Sequence, residues 1–245
     1  MQTIEELSLN ALPSLQQIID DGWILRFADG YTKRANSVTP LYPSFQDPTA
    51  KIKRCQKIYR SFNLPPIFRL TNTAQSQEID AILAKLGYET TCLVSVRVKN
   101  LESTGIERNH VFPTLAYELT EEWLDRYVHA ANLPPLHWNT LSTMLEIIPS
   151  ATCYAWLKDR SHFCSCGLGV LERDHLGLFF IVTALKQRGK GYAAQLIAAL
   201  LDWGKQNGAT RAYVQVEVEN QSAMNLYRKL GFVESYRYFY RQLEK

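Results

Sequence analysis

Between Gly191 and Gln206, apolar residues recur one helical turn apart, Leu196 with Leu200 and Ile197 with Leu201. This period predicts an amphipathic helix ended by Asn207-Gly208. On either side the period drops to two, the mark of a strand. Residues 177–183 form the strand before the helix. Residues 213–218 form the strand after it, with Val214, Val216 and Val218 on one face. Asn220 then caps a helix carrying Ala223, Tyr227 and Leu230, which stops at Gly231. The last strand, 232–241, alternates Tyr236, Tyr238 and Tyr240 against Arg237, Phe239 and Arg241. Upstream, strands are expected at 114–119, 153–157 and 162–171. A helix capped by Thr120 and a short one at 141–148 lie among them, interrupted by Pro134-Pro135.

The first hundred residues are patterned more weakly. Residues 23–27 read as a strand, Asp29-Gly30 as a turn and 33–38 as the return strand. Asp47-Pro48 opens a helix to about residue 62, with Ile52, Cys55, Ile58, Tyr59 and Phe62 at helical spacing. After Pro65-Pro66 come a strand at 67–70, a helix at 76–86 closed by Gly87, and a strand at 92–98. That strand sets Cys92, Val94, Val96 and Val98 on one face. Residues 100–109 are polar and hold Gly105, which divides the chain into 1–105 and 106–245. The halves echo each other: Leu86-Gly87-Tyr88 and Leu230-Gly231-Phe232 each end a helix and enter a strand.

Composition adds exclusions. A net charge of +3, from 27 basic and 24 acidic residues with no long basic run, gives no nucleic-acid signature. The cluster Lys51, Lys53, Arg54, Lys57 and Arg60 reads as a solvated helix face. No apolar stretch approaches the roughly 18 residues of a membrane span, and the first residues lack a signal-peptide pattern. The expectation is a cytoplasmic protein whose five cysteines stay reduced. Cys164 and Cys166 are expected to share a strand face; no second pair at zinc spacing accompanies them, so no metal is expected.

The candidate chemistry lies at residues 181–194. A strand ends, a short loop follows, and Gly189 and Gly191 open a helix between Arg188 and Lys190. A helix start leaves about four backbone N–H groups unpaired at the positive end of the macrodipole. Glycines let the backbone approach, and two cations flank the same point. Together these predict a bound pyrophosphate. Gly189-x-Gly191-x-x-Ala194 also fits the loose dinucleotide fingerprint, with Glu217 downstream. Residues 184–188 separate it from its strand, however, and too little chain follows for a doubly wound domain. The phosphate-loop pattern Gly-Lys-Ser/Thr is absent, since Gly191 follows Lys190.

Arg188-x-x-Gly191-x-Ala193 resembles the coenzyme A loop of the GCN5-related N-acetyltransferases (the GNAT superfamily). Asn220-x-x-Ala223-x-x-x-Tyr227-x-x-x-Gly231-Phe232 is similar to that superfamily's last motif. The resemblance covers about 65 residues. It implies an α/β (α+β) GNAT fold, a mixed and mostly antiparallel sheet flanked by helices. With the internal echo, it implies two tandem GNAT-like domains, the first a degenerate copy without the glycine loop. It implies acetyl-CoA as cosubstrate and a primary amine, on a small molecule or a protein, as acceptor. The pyrophosphate then falls to the main chain of Arg188, Gly189, Lys190, Gly191, Tyr192, Ala193 and Ala194, and the pantetheine arm to Ile181, Val182 and Thr183. Asn220 adds a cofactor contact or only caps its helix. Tyr227 becomes the general acid that protonates the leaving thiolate. Glu217 leads the candidates for the base, with Glu219, Glu172 and His175 beside it. Several relatives carry an acidic residue where Gln215 stands, and an amide is no base. The reaction implied is direct transfer in a ternary complex by a monomer or homodimer. A catalytically inactive acyl-CoA sensor is the alternative. Arg34-Ala35-Asn36-Ser37 is polar for a strand and suits an acceptor pocket, as do Trp123, Tyr127, Trp138 and Trp156.

Overall fold

The computed structural model describes residues 1–101 and 112–243, so most of the boundary placed at 100–109 lies outside the described residues. Helices α1 (Gln2–Ala11), α2 (Pro48–Ser61), α3 (Ala74–Lys85), α4 (Glu121–Ala130), α5 (Trp138–Glu146), α6 (Tyr192–Gln206) and α7 (Gln221–Lys229) surround a single sheet. Its strands are β1 (Gln16–Asp20), β2 (Trp23–Phe27), β3 (Val38–Pro40), β4 (Phe68–Thr71), β5 (Glu89–Asn100), β6 (Thr114–Ala116), β7 (Ala151–Asp159), β8 (His162–Glu172), β9 (His175–Thr183), β10 (Arg211–Glu217) and β11 (Val233–Gln242). They run β1-β2-β3-β4-β11-β5-β10-β9-β8-β7-β6, antiparallel except at β3–β4 and β9–β10. This is the mixed, mostly antiparallel sheet flanked by helices that the sequence implied. No described helix is long and apolar enough to cross a membrane.

The chain's last strand, β11, lies between β4 and β5, and β5 in turn lies between β10 and β11. The units β4–α3–β5 and β10–α7–β11 close alike. Gly87 and Gly231 have φ of 82° and 83°. Tyr88 N donates to Leu83 O at 3.0 Å, and Phe232 N to Tyr227 O at 2.9 Å. These are glycine-terminated helix ends of one kind, which only a residue without Cβ adopts freely. Leu83 occupies in α3 the position that Tyr227 occupies in α7.

Alternation along the strands sorts the core into two layers. Tyr213, Tyr238, Tyr240, Val94 and Val96 face α1, α4 and α5. Val214 and Val216 face α6 and α7 on the other side, where Trp23, Leu25 and Phe68 meet α2 and α3.

Three local expectations are corrected. Lys51 does not belong to a solvated face: it is buried, and its Nζ donates to Asp21 O at 2.6 Å and Ser44 Oγ at 2.7 Å. The return strand is not 33–38 but Val38–Pro40; Lys33–Ala35 is a 3-10 turn capped by Thr32. The Asn36 amide accepts from Ala28 N at 2.8 Å and Gly30 N at 3.1 Å and donates to Tyr31 O at 2.7 Å. Such local side-chain bonding folds the segment onto itself and competes with ladder pairing. Cys164 and Cys166 do not share a face. Pairing passes from Leu157↔Ser165 to Lys158↔Phe163, so Cys164 is a bulge residue and the two thiols enter opposite layers.

Candidate active site

The site begins where β9 and β10 part. Their parallel pairing ends at Val214↔Leu178, so residues 179–183 and 215–217 diverge with no ladder between them. The cause is local. Phe180 has φ of 54°, and the β8–β9 register slips between Leu168↔Phe179 and Cys166↔Val182. A bulge of this kind bends its strand. The ring of Phe180 turns to meet Tyr127 of α4, centroids 5.1 Å apart. A wedge opens along main chain that includes Ile181, Val182 and Thr183. Ser165 Oγ donates to Val182 O at 2.7 Å, and Arg188 Nε to Thr183 O at 3.3 Å, which holds that main chain in place.

The glycine loop follows directly. Residues 185–187 make a 3-10 turn, and Gly191 is the N-cap of α6 with φ of 82°. It offers no side-chain cap, so the first-turn N–H groups, those of Tyr192, Ala193 and Ala194 among them, keep their capacity for an anion. A Cβ placed on Gly189 or Gly191 would meet nothing within 4 Å. Within the protein itself these glycines are therefore required by positive φ, 77° and 82°, and not by crowding. Lys190 Nζ is held by Gln187 Oε1 at 2.8 Å. Tyr192 turns inward and its hydroxyl donates to Asp159 Oδ2 at 2.7 Å, which fixes the start of α6. A groove of about 650 Å³ runs past Arg188 and Leu185 between Phe163 and the α4 residues Arg126 and His129.

Across the wedge stands α7. Asn220 Oδ1 accepts from Ala223 N at 3.1 Å, so the capping role is present. Tyr227 is 4% exposed, packs edge-on against Phe232 with centroids 5.6 Å apart, and hydrogen-bonds no described group. Burial pushes its phenol well up, which keeps it protonated at neutral pH.

Glu217 and Gln215 reach the opposite layer, where they line a cavity of about 210 Å³ with Lys33, Arg34, Tyr238 and Tyr240. Of the polar run 34–37, Arg34 alone lines it; Ala35, Asn36 and Ser37 are buried. Lys33, Tyr238 and Tyr240 carry no motif, and only the placement of β11 beside β5 brings the tyrosines here. Glu219 is exposed just beyond β10. Glu172, the last residue of β8, pairs with His175, the first of β9, roughly 26 Å from Thr183 at about 3.3 Å per residue. There Glu172 accepts from Asn10 and His175 meets Asp174, so neither joins the wedge. The aromatic candidates are core or near-core. Trp123 is fully buried, with Nε1 shared between Ala155 O and Gly167 O; Trp156 is buried, and Trp138 Nε1 donates to Leu133 O. Among the described residues, no three His, Cys, Asp or Glu side chains gather as a metal site.

The family described as probable histone acetyltransferase Rv0428c C-terminal matches residues 1–241. The "Uncharacterized N-acetyltransferase YobR" of Bacillus subtilis (strain 168) is 29% identical over 245 residues, 98% of each chain. In structure, the chain is similar to a GCN5-related N-acetyltransferase from Kribbella flavida. The TM-score is 0.76 at 13% identity, over 100% of this chain and 95% of that one. It is also similar to a tandem GNAT protein from the clavulanic acid biosynthesis pathway. There the TM-score is 0.65 at 11% identity, over 98% of this chain and 86% of that one. At such identities the solved structures show the fold alone.

Proposed function

The chain belongs to the GNAT superfamily, in the family of the Rv0428c C-terminal region, and from that we propose that it moves an acetyl group from acetyl-CoA to a primary amine. The observation that carries the reading is the wedge between β9 and β10, opened by the bulge at Phe180 and ending on the uncapped start of α6. Pyrophosphate on the amides of Arg188 to Ala194 would send the pantetheine arm along Ile181, Val182 and Thr183 into that wedge. The thioester then sits with α7 on one side of the sheet and the cavity of Glu217 on the other.

The chemistry is direct transfer in a ternary complex. Glu217, directly or through water, takes the proton the amine must lose. The amine nitrogen forms a bond to the thioester carbon, the C–S bond breaks, the thiolate takes the phenolic proton of Tyr227, and the second proton leaving nitrogen restores that phenol through solvent. Asn220 caps α7 and contacts the cofactor at the same end.

Residues 1–105 fit a degenerate copy whose own anion site is filled from within. The helix equivalent to α6 is α2, and Asp47 caps it by accepting from Ala50 N at 2.7 Å. Asp21 accepts from Phe45 N and Gln46 N, each at 3.0 Å, just ahead of that helix. Ser44, then the backbone of Gln46, holds the Asp21 carboxyl far below its usual range. With Leu83 in place of a tyrosine, this half offers no acid. One acetyl-CoA per chain follows.

Acetyl-CoA tests the reading through linkage, since a ligand at 100 times its Kd stabilises by about 2.7 kcal/mol. The expected result is a rise of several degrees in Tm. No shift at millimolar acetyl-CoA or CoA would sink it. Binding without transfer to amines would favour the sensor.

A further inference from the structure

We propose that the acceptor amine carries a carboxylate, bound by Arg34, Lys33 and Gln215 in the cavity between the 3-10 turn Lys33–Ala35 and the ends of β10 and β11. This rests on the acetyl-transfer reading above and names the class of acceptor. The cavity holds two cations and one carboxylate, Glu217. Among the described residues no carboxylate lies within ion-pair distance of Lys33 or Arg34, and Lys33 Nζ stands 5.8 Å from the Tyr240 ring centroid. Lys33 Nζ rests on neutral partners, Thr91 Oγ1 at 3.2 Å and Cys92 Sγ at 3.3 Å. Arg34 Nη1 donates only a long bond, 3.5 Å, to Gln215 Oε1. With Glu217 the only carboxylate among the residues lining the cavity, the two cations leave one positive charge in excess, which an anionic ligand would balance.

Gln215 points to the same ligand. Its Oε1 accepts from Tyr238 Oη at 3.1 Å and from Arg34, which orients the amide. Its Nε2 is buried and donates to nothing. A buried donor left unpaired calls for an acceptor. A carboxylate in the cavity would lie among the Arg34 fork, the Lys33 ammonium and the Gln215 side chain, whose amide is one donor still to be satisfied. The amide that cannot serve as a base is thereby given a use. Glu217, two residues on along the same face of β10, suits the ammonium end.

The cavity adjoins the wedge, because Gln215 and Glu217 belong to the stretch of β10 that has parted from β9. At about 210 Å³ the space falls below the roughly 300 Å³ where sites for drug-sized ligands begin. It suits a small molecule of the amino-acid kind better than a peptide.

The test measures thiol release from acetyl-CoA with a panel of α-amino acids, their α-carboxamides and the amines lacking the carboxyl group. With the best acceptor, the expected kcat/KM is about 10- to 100-fold higher for the carboxylate than for its carboxamide. Arg34→Gln should raise KM for that acceptor by about tenfold and close much of the gap, while the Tm rise with acetyl-CoA persists. Arg34→Lys, which keeps the charge, should recover part of the loss. The inference is overturned if carboxamides or plain amines serve equally well, if no carboxylate-bearing amine is acetylated, or if Arg34→Gln weakens all acceptors alike. Those outcomes with acetyl-CoA binding intact remove the acceptor class alone; loss of acetyl-CoA binding in the wild type removes the acetyl-transfer reading as well.

Discussion

Replacing Tyr227 by phenylalanine is expected to lower kcat by about 10²- to 10⁴-fold, the range a positioned proton donor supplies. Affinity for acetyl-CoA should stay within about threefold by titration. The hydroxyl bonds no described group and the ring packs on Phe232, so the change deletes one oxygen and leaves the packing in place. Stability should move by less than about 1 kcal/mol, since no protein hydrogen bond is lost. The separation of turnover from binding is what identifies the acid. Unchanged kcat would remove Tyr227 from the chemistry; equal losses of kcat and affinity would make it a binding group. The equivalent position in α3, Leu83, carries no hydroxyl to remove.

Arg69→Leu is expected to destabilise the fold by about 3–5 kcal/mol in urea denaturation, the cost of stranding a buried carboxylate. Arg69 and Glu5 are an ion pair with side chains 2% and 1% exposed. Arg69 Nη2 donates to Glu5 Oε1 at 3.0 Å, Tyr236 Oη donates to the same oxygen, and the guanidinium lies 3.9 Å from the Tyr238 ring centroid. This cluster ties α1, at the start of the chain, to β4 and to β11, at its end. Removing Glu5 as well, in the double variant Glu5→Leu with Arg69→Leu, should recover a good part of the loss, because no charge is then left uncompensated. A cost below about 1 kcal/mol for Arg69→Leu would show that the pair is solvated or dispensable.

The legibility of the fold followed the strength of local signals. The helix α6 was plain in the leucine and isoleucine spacing, and α2 in Asp47-Pro48, because capping and periodicity are short-range properties written in adjacent residues. The strand β3 was misplaced because Asn36 spends its amide on its own loop, a choice that alternation does not register. Cys164 left its expected face because one bulge residue inverts every side chain beyond it. The helix α1 went unread, since its apolar positions, Ile4, Leu7 and Ala11, are few and its cap is plain.

The site divides along the same line. The loop 188–194 and the cap at Asn220 could be read, because each is a contiguous motif with a backbone reason behind it. The wedge could not be read from periodicity; it depends on a bulge at Phe180, an aromatic residue at positive φ that no pattern announces. The cavity of Arg34 and Gln215 was out of reach, since it joins residues 181 positions apart through the interleaving of β5 and β11. Sequence marked Gln215 as an amide that is no base; the fold puts it in one cavity with Arg34 and Lys33.

Calorimetric titration of acetyl-CoA into the wild type and Gly191→Val tests whether the start of α6 holds the cofactor's pyrophosphate. A side chain at φ of 82° is strained, and its branches would project into space that the protein leaves open for the ligand. The predicted result is one site per wild-type chain and a Kd raised by about tenfold or more in the variant, with the fold intact by circular dichroism. Equal affinities in the two proteins, or no heat from the wild type, would contradict it.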